Sequence, residues 1–473
     1  MVRFILTVTM STLLLNAGIK HLTLNQALSM LNENNLEVKV SRYEETMKKY
    51  DIAKVEAKNF GTLDLELTAL RSNDPGNVFG FKMQSRDATF GDFGFEQFLG
   101  GFGQAMSSPD GTGPDFNSFA GNMANPDFQK QLLSTKPTAL NHPKARNHFL
   151  TKLTYKIPLY TGGMLTNYKK ITQKLYNMSK LDTQKVLATK RFELKKTFYG
   201  VGVLNSMINK LSVIEGNIRK LKRIIKEMEK EGYAVETDYL EVDAKLAEVQ
   251  AMMDEVKLNR KLAYYFISFL LNTEVSSIVP PKHNPKVPIV TKEIVEAQSL
   301  DIAKARLGRS ITRNAIEVEK SKFKPKIGAF AEYGNANDKL FKYSKKGFYT
   351  VGVQAKWNLF NGGADKASLE KAKVNYLKVA TQVKLAKQGM WLKARKLKSE
   401  IRIKNSLVKS YQRQYRFAHK VYETYKAKYK EGIAPITEVL IKESKEIEML
   451  MKLLKAKNDR NEKVLALQKL INR

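Results

Sequence analysis

The 473-residue chain contains no cysteine. That excludes a disulfide framework, a thiolate zinc site, a thiol nucleophile and a lipidated N-terminal cysteine. Histidine is scarce: His21, His142, His148, His283 and His419 are all there are, and no two stand at a metal-ligand spacing such as i, i+4. The dipeptide Gly-Lys never occurs, so a GxxxxGK[ST] phosphate loop is impossible. No cofactor and no metal are expected. No acid, base and nucleophile converge as an enzyme would need. Long apolar runs are missing as well. The longest, Phe4 to Leu15, has 12 residues with Thr and Ser inside it, and the next, Leu262 to Leu271, is shorter. A spanning helix needs about 20 apolar residues. If this chain sits in a membrane, it must do so as a closed β-barrel.

What the chain has in excess is positive charge. Lys+Arg is 81 against 47 Asp+Glu, a formal net charge of +34. With 43% hydrophobic residues it can bury a sizeable core, so disorder throughout is excluded. At ~150 residues per domain, the length fits two to four units or one large architecture. A basic rod with interleaved tyrosines could bind nucleic acid, but the cations are scattered and no recognised motif accompanies them, so no nucleic-acid partner is expected. Attraction to anionic surfaces or acidic cargo, and simple lysine bias, stay open as readings of the charge. Residues 1–18 (MVRFILTVTMSTLLLNAG) have a short positive start, an apolar centre and small residues at the end, as a secretory signal peptide does. The remaining chain is expected to be exported.

The chain repeats itself. Tyr160-Thr-Gly162-Gly163 is matched by Phe360-Asn-Gly362-Gly363, and Glu231-Gly232-Tyr233-Ala234 by Glu431-Gly432-Ile433-Ala434. Thr237 and Leu240 are matched by Thr437 and Leu440, every pair being 200 residues apart. Upstream, Asn35-Leu36-Glu-Val38 resembles Ser299-Leu300-Asp-Ile302 at an offset of 264, so the first half carries 64 extra residues, which must lie within 72–148. The expected organisation is a signal peptide (1–18), a first repeat (19–280, with the insertion 72–148) and a second repeat (281–473). Each repeat reads as helix, strand, loop, strand, long helix, turn, helix. The first helices span roughly 24–60 and 291–323, and the long ones roughly 164–231 and 364–431. About 68 residues make a helix of ~100 Å, longer than a globular domain needs, which suggests coiled-coil or α-barrel packing. Leu204, Met207, Leu211, Ile214, Ile218, Leu221, Ile225 and Met228 form a heptad seam. The second copy is looser and more aromatic: Leu407, Tyr411, Ala418, Val421 and Tyr425.

Four segments alternate with period 2: 62–68, 152–159, 327–333 and 351–359. One face is apolar and the other mostly polar. Lipid outside and water inside would suit that pattern, with Tyr160, Trp357 and Phe360 near strand ends as an aromatic girdle. A sheet packed on a soluble core alternates in the same way; the signal peptide and the lack of another anchor favour the barrel. Four strands cannot enclose water alone, since eight is the lower limit of common outer-membrane barrels. Three copies would supply 12.

In order and spacing, these features resemble the TolC-like outer membrane efflux protein family. The resemblance covers nearly the whole mature chain. It rests on Leu22-Thr-Leu24-Asn-Gln-Ala27-Leu28 with Asn34-Asn35-Leu36, the Gly-Gly strand-to-helix turns, and the duplicated Gly232 and Gly432 turns followed by Thr237-Asp238 and Thr437-Glu438. It implies a mainly α fold with membrane β: a homotrimer whose 12-stranded β-barrel, four strands per protomer, continues into a long periplasmic α-helical barrel. The implied function is a passive outer-membrane exit duct, outer-membrane lipid around its barrel, served by a periplasmic adaptor (membrane fusion) protein and an inner-membrane pump of RND or ABC type. Multidrug efflux and type I secretion both use such ducts. The alternative is a periplasmic structural coiled coil or adhesin-like protein without channel activity.

The family implies roles for single residues. Gly162, Gly163, Gly362 and Gly363 would let the backbone swing from strand to helix. Gly232, Tyr233, Ala234, Gly432, Ile433 and Ala434 would be hairpin tips that contact the adaptor, and they also serve as plain helix connectors. Asp238 and Glu438 would form acidic rings at the periplasmic aperture, and Tyr429 matches a tyrosine that helps hold the closed state. The family's second ring acid is Ile441 here, and the arginine often found two residues past the second tip glycine is Ala434. An aliphatic Ile441 constriction could replace that latch. Lys156 and Lys356 are repeat-related candidates for the barrel lumen. The insertion, rich in Gly and Phe (Val78–Phe81, Phe90–Phe95, Phe98–Gly103), should project outside the cell as a loop packed on itself or folded into the barrel mouth.

Overall fold

The period-2 segments become one sheet and the heptad segments two long hairpins. The computed structural model describes residues 18–340 and 347–472, so the expected signal peptide lies outside the described residues but for Gly18. In chain order the elements are β1 (Leu22–Thr23), α1 (Leu24–Asn34), α2 (Leu36–Ala57), β2 (Thr62–Ser72), α3 (Pro75–Gln84), α4 (Phe95–Ala105), α5 (Phe116–Ala124), α6 (Pro126–Ser134), α7 (Thr138–Asn141), β3 (Arg146–Tyr160), α8 (Met164–Lys230) and α9 (Glu236–Leu271). Then follow β4 (Ile278–Val279), α10 (Lys292–Gln298), α11 (Leu300–Lys320), β5 (Lys326–Asn337), β6 (Phe348–Lys356), α12 (Ala364–Lys430) and α13 (Ile436–Leu470). Two compact units result. One takes the chain up to Ile52, Lys170–Ile316 and everything from Glu370; the other takes Ala53–Lys169 and Glu317–Leu369.

The first unit is helical. The seam expected in the long helix is buried: Leu211, Ile218 and Ile225 of α8 are fully enclosed, packed with Val242 and Val249 of α9 and Ile436, Leu440, Ile447 and Leu450 of α13. Each such side chain contributes ~1.5–3 kcal/mol by leaving water. In α12 the core position is Tyr422, not Val421, so the aromatic seam runs Tyr411, Tyr415, Ala418, Tyr422, Tyr425, Tyr429. The helices expected over 24–60 and 291–323 are each broken once. Asn35 takes an extended backbone (φ −61°, ψ 123°). Its side-chain oxygen accepts from the Val38 amide at 3.0 Å and its amide donates to the Leu270 carbonyl at 2.7 Å. It thus caps α2 and pins it to α9. Ser299 breaks the second copy the same way, with ψ 120°. The parallel pair β1–β4, which the period-2 reading did not anticipate, ties Leu22 to Ile278.

The second unit holds an antiparallel sheet of order β2-β3-β5-β6. Register lines up the apolar positions across it: Leu65 faces Leu153, Leu153 faces Tyr333, and Tyr333 faces Tyr349. Leu63, Leu65, Leu67, Val351 and Val353 on that face are all exposed in the protomer. The opposite face carries Asp64, Glu66, Lys152, Lys156, Glu332 and Lys356. The last strand occupies 348–356, so Trp357, Leu359 and Phe360 lie beyond it; the Trp357 indole donates to the Phe323 carbonyl at 3.2 Å. The insertion is not a loop. It forms five short helices, α3 to α7, whose starts are capped by Asp74, Asp115 and Asn125 and whose phenylalanines meet one another, as Phe79 meets Phe93 (5.3 Å) and Phe102 meets Phe119 (4.9 Å).

Candidate functional site

The two hairpin turns are built alike. Gly232 (φ 78°) and Gly432 (φ 69°) adopt the left-handed backbone. The Tyr233 amide donates to the Met228 carbonyl (2.8 Å) and the Ile433 amide to the Lys428 carbonyl (2.9 Å). These six-to-one bonds define a Schellman ending, in which a glycine avoids the Cβ clash. Tyr233, Ile433 and Val235 are exposed at the turns, so the tips present apolar groups to solvent. Ala234 and Ala434 are half-buried.

Asp238 and Glu438 stand at matching places, one turn into α9 and α13. An acid there complements the partial positive charge of a helix start. Asp238 also accepts from the Val235 amide at 3.4 Å. Glu438 is half-buried, and among the described residues its carboxylate makes no hydrogen bond or ion pair. The two acids are not joined to each other. Asp238 instead lies near Tyr429, whose phenol is pushed up by burial and by the Asp238 charge, and so stays neutral. The Tyr429 hydroxyl donates weakly to the Met228 sulfur at 3.6 Å. Thr437 donates to Glu241 at 3.1 Å, a second tie between the hairpins. Ile441 is 56% exposed, a large aliphatic group left in the open three residues past Glu438.

At the strand-to-helix turns, Gly162 and Gly163 have φ 66° and 88°, and Gly362 and Gly363 have 67° and 85°. The two turns thus repeat each other's backbone. Lys156 and Lys356 both point to the polar face of the sheet, and both are exposed. That face is not purely cationic. Glu66 approaches Lys152 at 3.6 Å, and Asp64 and Glu332 share the face. Sequence reasoning passed over these acids, although their period-2 positions were legible. Among the described residues, no cluster of side chains could hold a metal ion, and no helix is long and apolar enough to cross a membrane.

The chain thus combines an open antiparallel sheet, apolar on one face and polar on the other, with paired helical hairpins. Residues 293–473 match the family model described as outer membrane efflux protein. Among solved structures, CusC aligns with TM-score 0.72 at 13% identity, covering 95% of this chain and 91% of that one. The CmeC outer membrane channel of Campylobacter jejuni gives 0.70 at 13%, with 95% and 85% covered. The open-state MtrE channel of Neisseria gonorrhoeae gives 0.67 at 14%, with 95% and 88% covered. No curated protein matches the chain. Over nearly the full length the fold is that of these outer-membrane channels, and residues 293–473 are similar to the outer membrane efflux protein family.

Proposed function

We propose that the protein is the exit duct of a tripartite export system, a homotrimer that passively conducts substrates from an inner-membrane pump and a periplasmic adaptor to the exterior. The observation that carries this reading is the sheet. Its apolar face is exposed, and among the described residues β2 and β6 each lack a strand neighbour on the outer side. Unpaired edges and bare leucines are untenable in a lone protomer. Because the four strands alternate in direction, β6 of one copy can pair antiparallel with β2 of the next, and a cyclic arrangement closes the ring. Three copies then give a 12-stranded barrel, lipid on the leucine face and water on the face of Lys156 and Lys356. The helical unit asks for neighbours too. Leu36, Val40, Tyr43 and Met47 form an exposed apolar stripe on α2, and Leu377, Leu385 and Leu392 another on α12.

The two halves would be structural repeats, with the helices in the periplasm and the barrel in the outer membrane. The exposed apolar tips at Tyr233 and Ile433, with Gly232, Ala234, Gly432 and Ala434, would receive the adaptor. Glu438, Asp238 and Ile441, three copies each around the axis, would line the aperture, with Tyr429 holding the hairpins together behind them. Three unpaired Glu438 carboxylates on one axis repel one another and attract cations. Single-channel recording in a planar bilayer tests this. Wild type should conduct weakly, and Glu438→Ala should raise conductance several-fold and weaken block by divalent cations. Equal, large conductance in both would remove Glu438 from the aperture. No conductance from folded, inserted protein would remove the duct.

A further inference from the structure

The core between the hairpins contains a carboxylate that has no visible reason to be there. Glu443 of α13 is 1% exposed, and neither of its oxygens has a hydrogen-bond partner. It lies in the same interior stripe as Leu440 and Ile447, where an aliphatic residue would serve the packing. A buried unpaired carboxylate costs several kcal/mol if it is charged. The repeat sharpens the anomaly. The residue 200 positions earlier is Asp243, which is half in solvent and ion-paired with Lys222. Lys222 in turn corresponds to Tyr422, which is buried against Glu443 without closing a hydrogen bond to it. The first hairpin thus gives its acid a cation; the second gives it a phenol.

We propose that Glu443 is a proton-operated latch between the α8–α9 and α12–α13 hairpins, shut while its carboxyl is neutral and released when it ionises. Its surroundings favour the neutral form at rest. From α12 it meets Tyr422, with Lys426 and Glu423 further out. From α9 it meets Lys245, whose ammonium is already bonded to Glu248 at 2.6 Å. From its own helix it meets Glu446, buried and held by His419 at 2.8 Å. From α8 this core takes Leu211, Ile214, Ile218 and Ile225. Burial pushes the Glu443 carboxyl up to about 7, helped by the Glu446 charge and against the pull of the nearby Tyr422 phenol and the Lys245 and Lys426 cations. The shut state therefore holds a proton that the released state gives up near 4.5. The latch is tightest in acid, weakens as pH rises from about 4.5 to 7, and changes little above that. Glu443 lies five residues beyond Glu438 on the same helix, so release would loosen the packing behind the aperture residues; that consequence rests on the channel reading.

Hydrogen exchange of the full-length protein in detergent tests the latch without any need for conduction. Exchange in segments covering 239–256 and 415–450 is compared between wild type and Glu443→Gln at each pH, which cancels the chemical exchange rate. With the two carboxyl values above, the wild-type opening ratio should rise about 30-fold between pH 5.5 and 8.5. In Glu443→Gln it should stay flat. Lys245→Met removes the nearest cation and should move the wild-type midpoint to higher pH, which covers the case in which the glutamine variant fails to fold. A wild-type ratio that is flat, or that rises equally in Glu443→Gln, overturns the latch, as does an unmoved midpoint in Lys245→Met. Conductance is recorded over the same pH series. Exchange that responds to pH in a protein that never conducts would sink the duct and spare the latch; conduction with unresponsive exchange would do the reverse.

Discussion

Two glycines with similar φ angles should respond very differently to the same added methyl group. Gly432 closes the second hairpin at φ 69°, and a Cβ built there meets no atom within 4 Å. Replacing it with alanine therefore costs only the left-handed backbone, about 1–2 kcal/mol. Gly61, at φ 75°, stands where the chain turns into β2. A Cβ there would lie 1.9 Å from the Lys156 carbonyl oxygen and 2.9 Å from Ile157 Cα. Both are backbone atoms of β3, and Lys156 is the register partner of Thr62. No side chain can move to relieve the contact; the first rung of the β2–β3 ladder has to open. Strain of this kind adds about 1–3 kcal/mol or more to the backbone term. Gly61→Ala should therefore lose roughly 2–5 kcal/mol in all.

The assay is chemical denaturation of the full-length protein in detergent, followed by far-ultraviolet circular dichroism, with amide exchange at Leu63 and Tyr155 as a local readout. Gly432→Ala should shift the midpoint slightly and leave the strand amides protected. Gly61→Ala should shift it by several times as much and expose the β2 edge first. Equal destabilisation by the two variants would refute the reasoning. A large loss in Gly432→Ala alone would mean that the tip is covered by something the protomer does not show.

Leu65→Lys places a charge on the face assigned to lipid and should cost about 2–4 kcal/mol of membrane folding near the bilayer centre. Flotation with liposomes reads this, and Thr350→Lys, on the polar face across from Glu332, should float like wild type. Ile218→Ala empties a fully buried seam position and should cost about 2–5 kcal/mol in the same denaturation assay. A loss below 1 kcal/mol would mean that the hairpin core is not what holds α8.

The long elements were legible because their signals are long. A seam of eight residues at 3,4 spacing and a 200-residue offset placed α8 and α12 to within a residue or two of Met164–Lys230 and Ala364–Lys430. Strand existence was legible as well, but strand ends were not, because Trp357 and Leu359 continue an alternation that the hydrogen bonding abandons after Lys356. The insertion was misjudged for a different reason. Its glycines and phenylalanines have no helical period, yet Asp74-Pro75 and Asn125-Pro126 are cap-and-first-turn pairs, each with proline where a helix start needs no donor. Those two dipeptides announced helices that composition concealed. The breaks at Asn35 and Ser299 also had a signal in the residues themselves, since Asn and Ser cap better than they propagate.

The candidate site divides along the same line. Gly232 and Gly432 were readable because backbone geometry restricts which residue can stand there, whereas an acid one turn into a helix has two sufficient explanations. Asp238 bonds its own helix start, so its charge is already accounted for. Glu438 makes no such bond, so their matching positions do not give the two acids equal weight in the proposed aperture. The same asymmetry separates Asp243 from Glu443. At the first site the 200-residue partner positions hold Lys and Asp, 25% and 48% exposed; at the second they hold Tyr and Glu, buried. The 200-residue correspondence says where a pair of side chains meets, but burial decides whether the acid there is a surface ion or a group that must choose between a proton and a charge. In α13 the choice was written as a glutamate inside the stripe Ile436, Leu440, Glu443, Ile447, Leu450, whose 4,3,4,3 spacing marks Glu443 as an interior position before any coordinate is known.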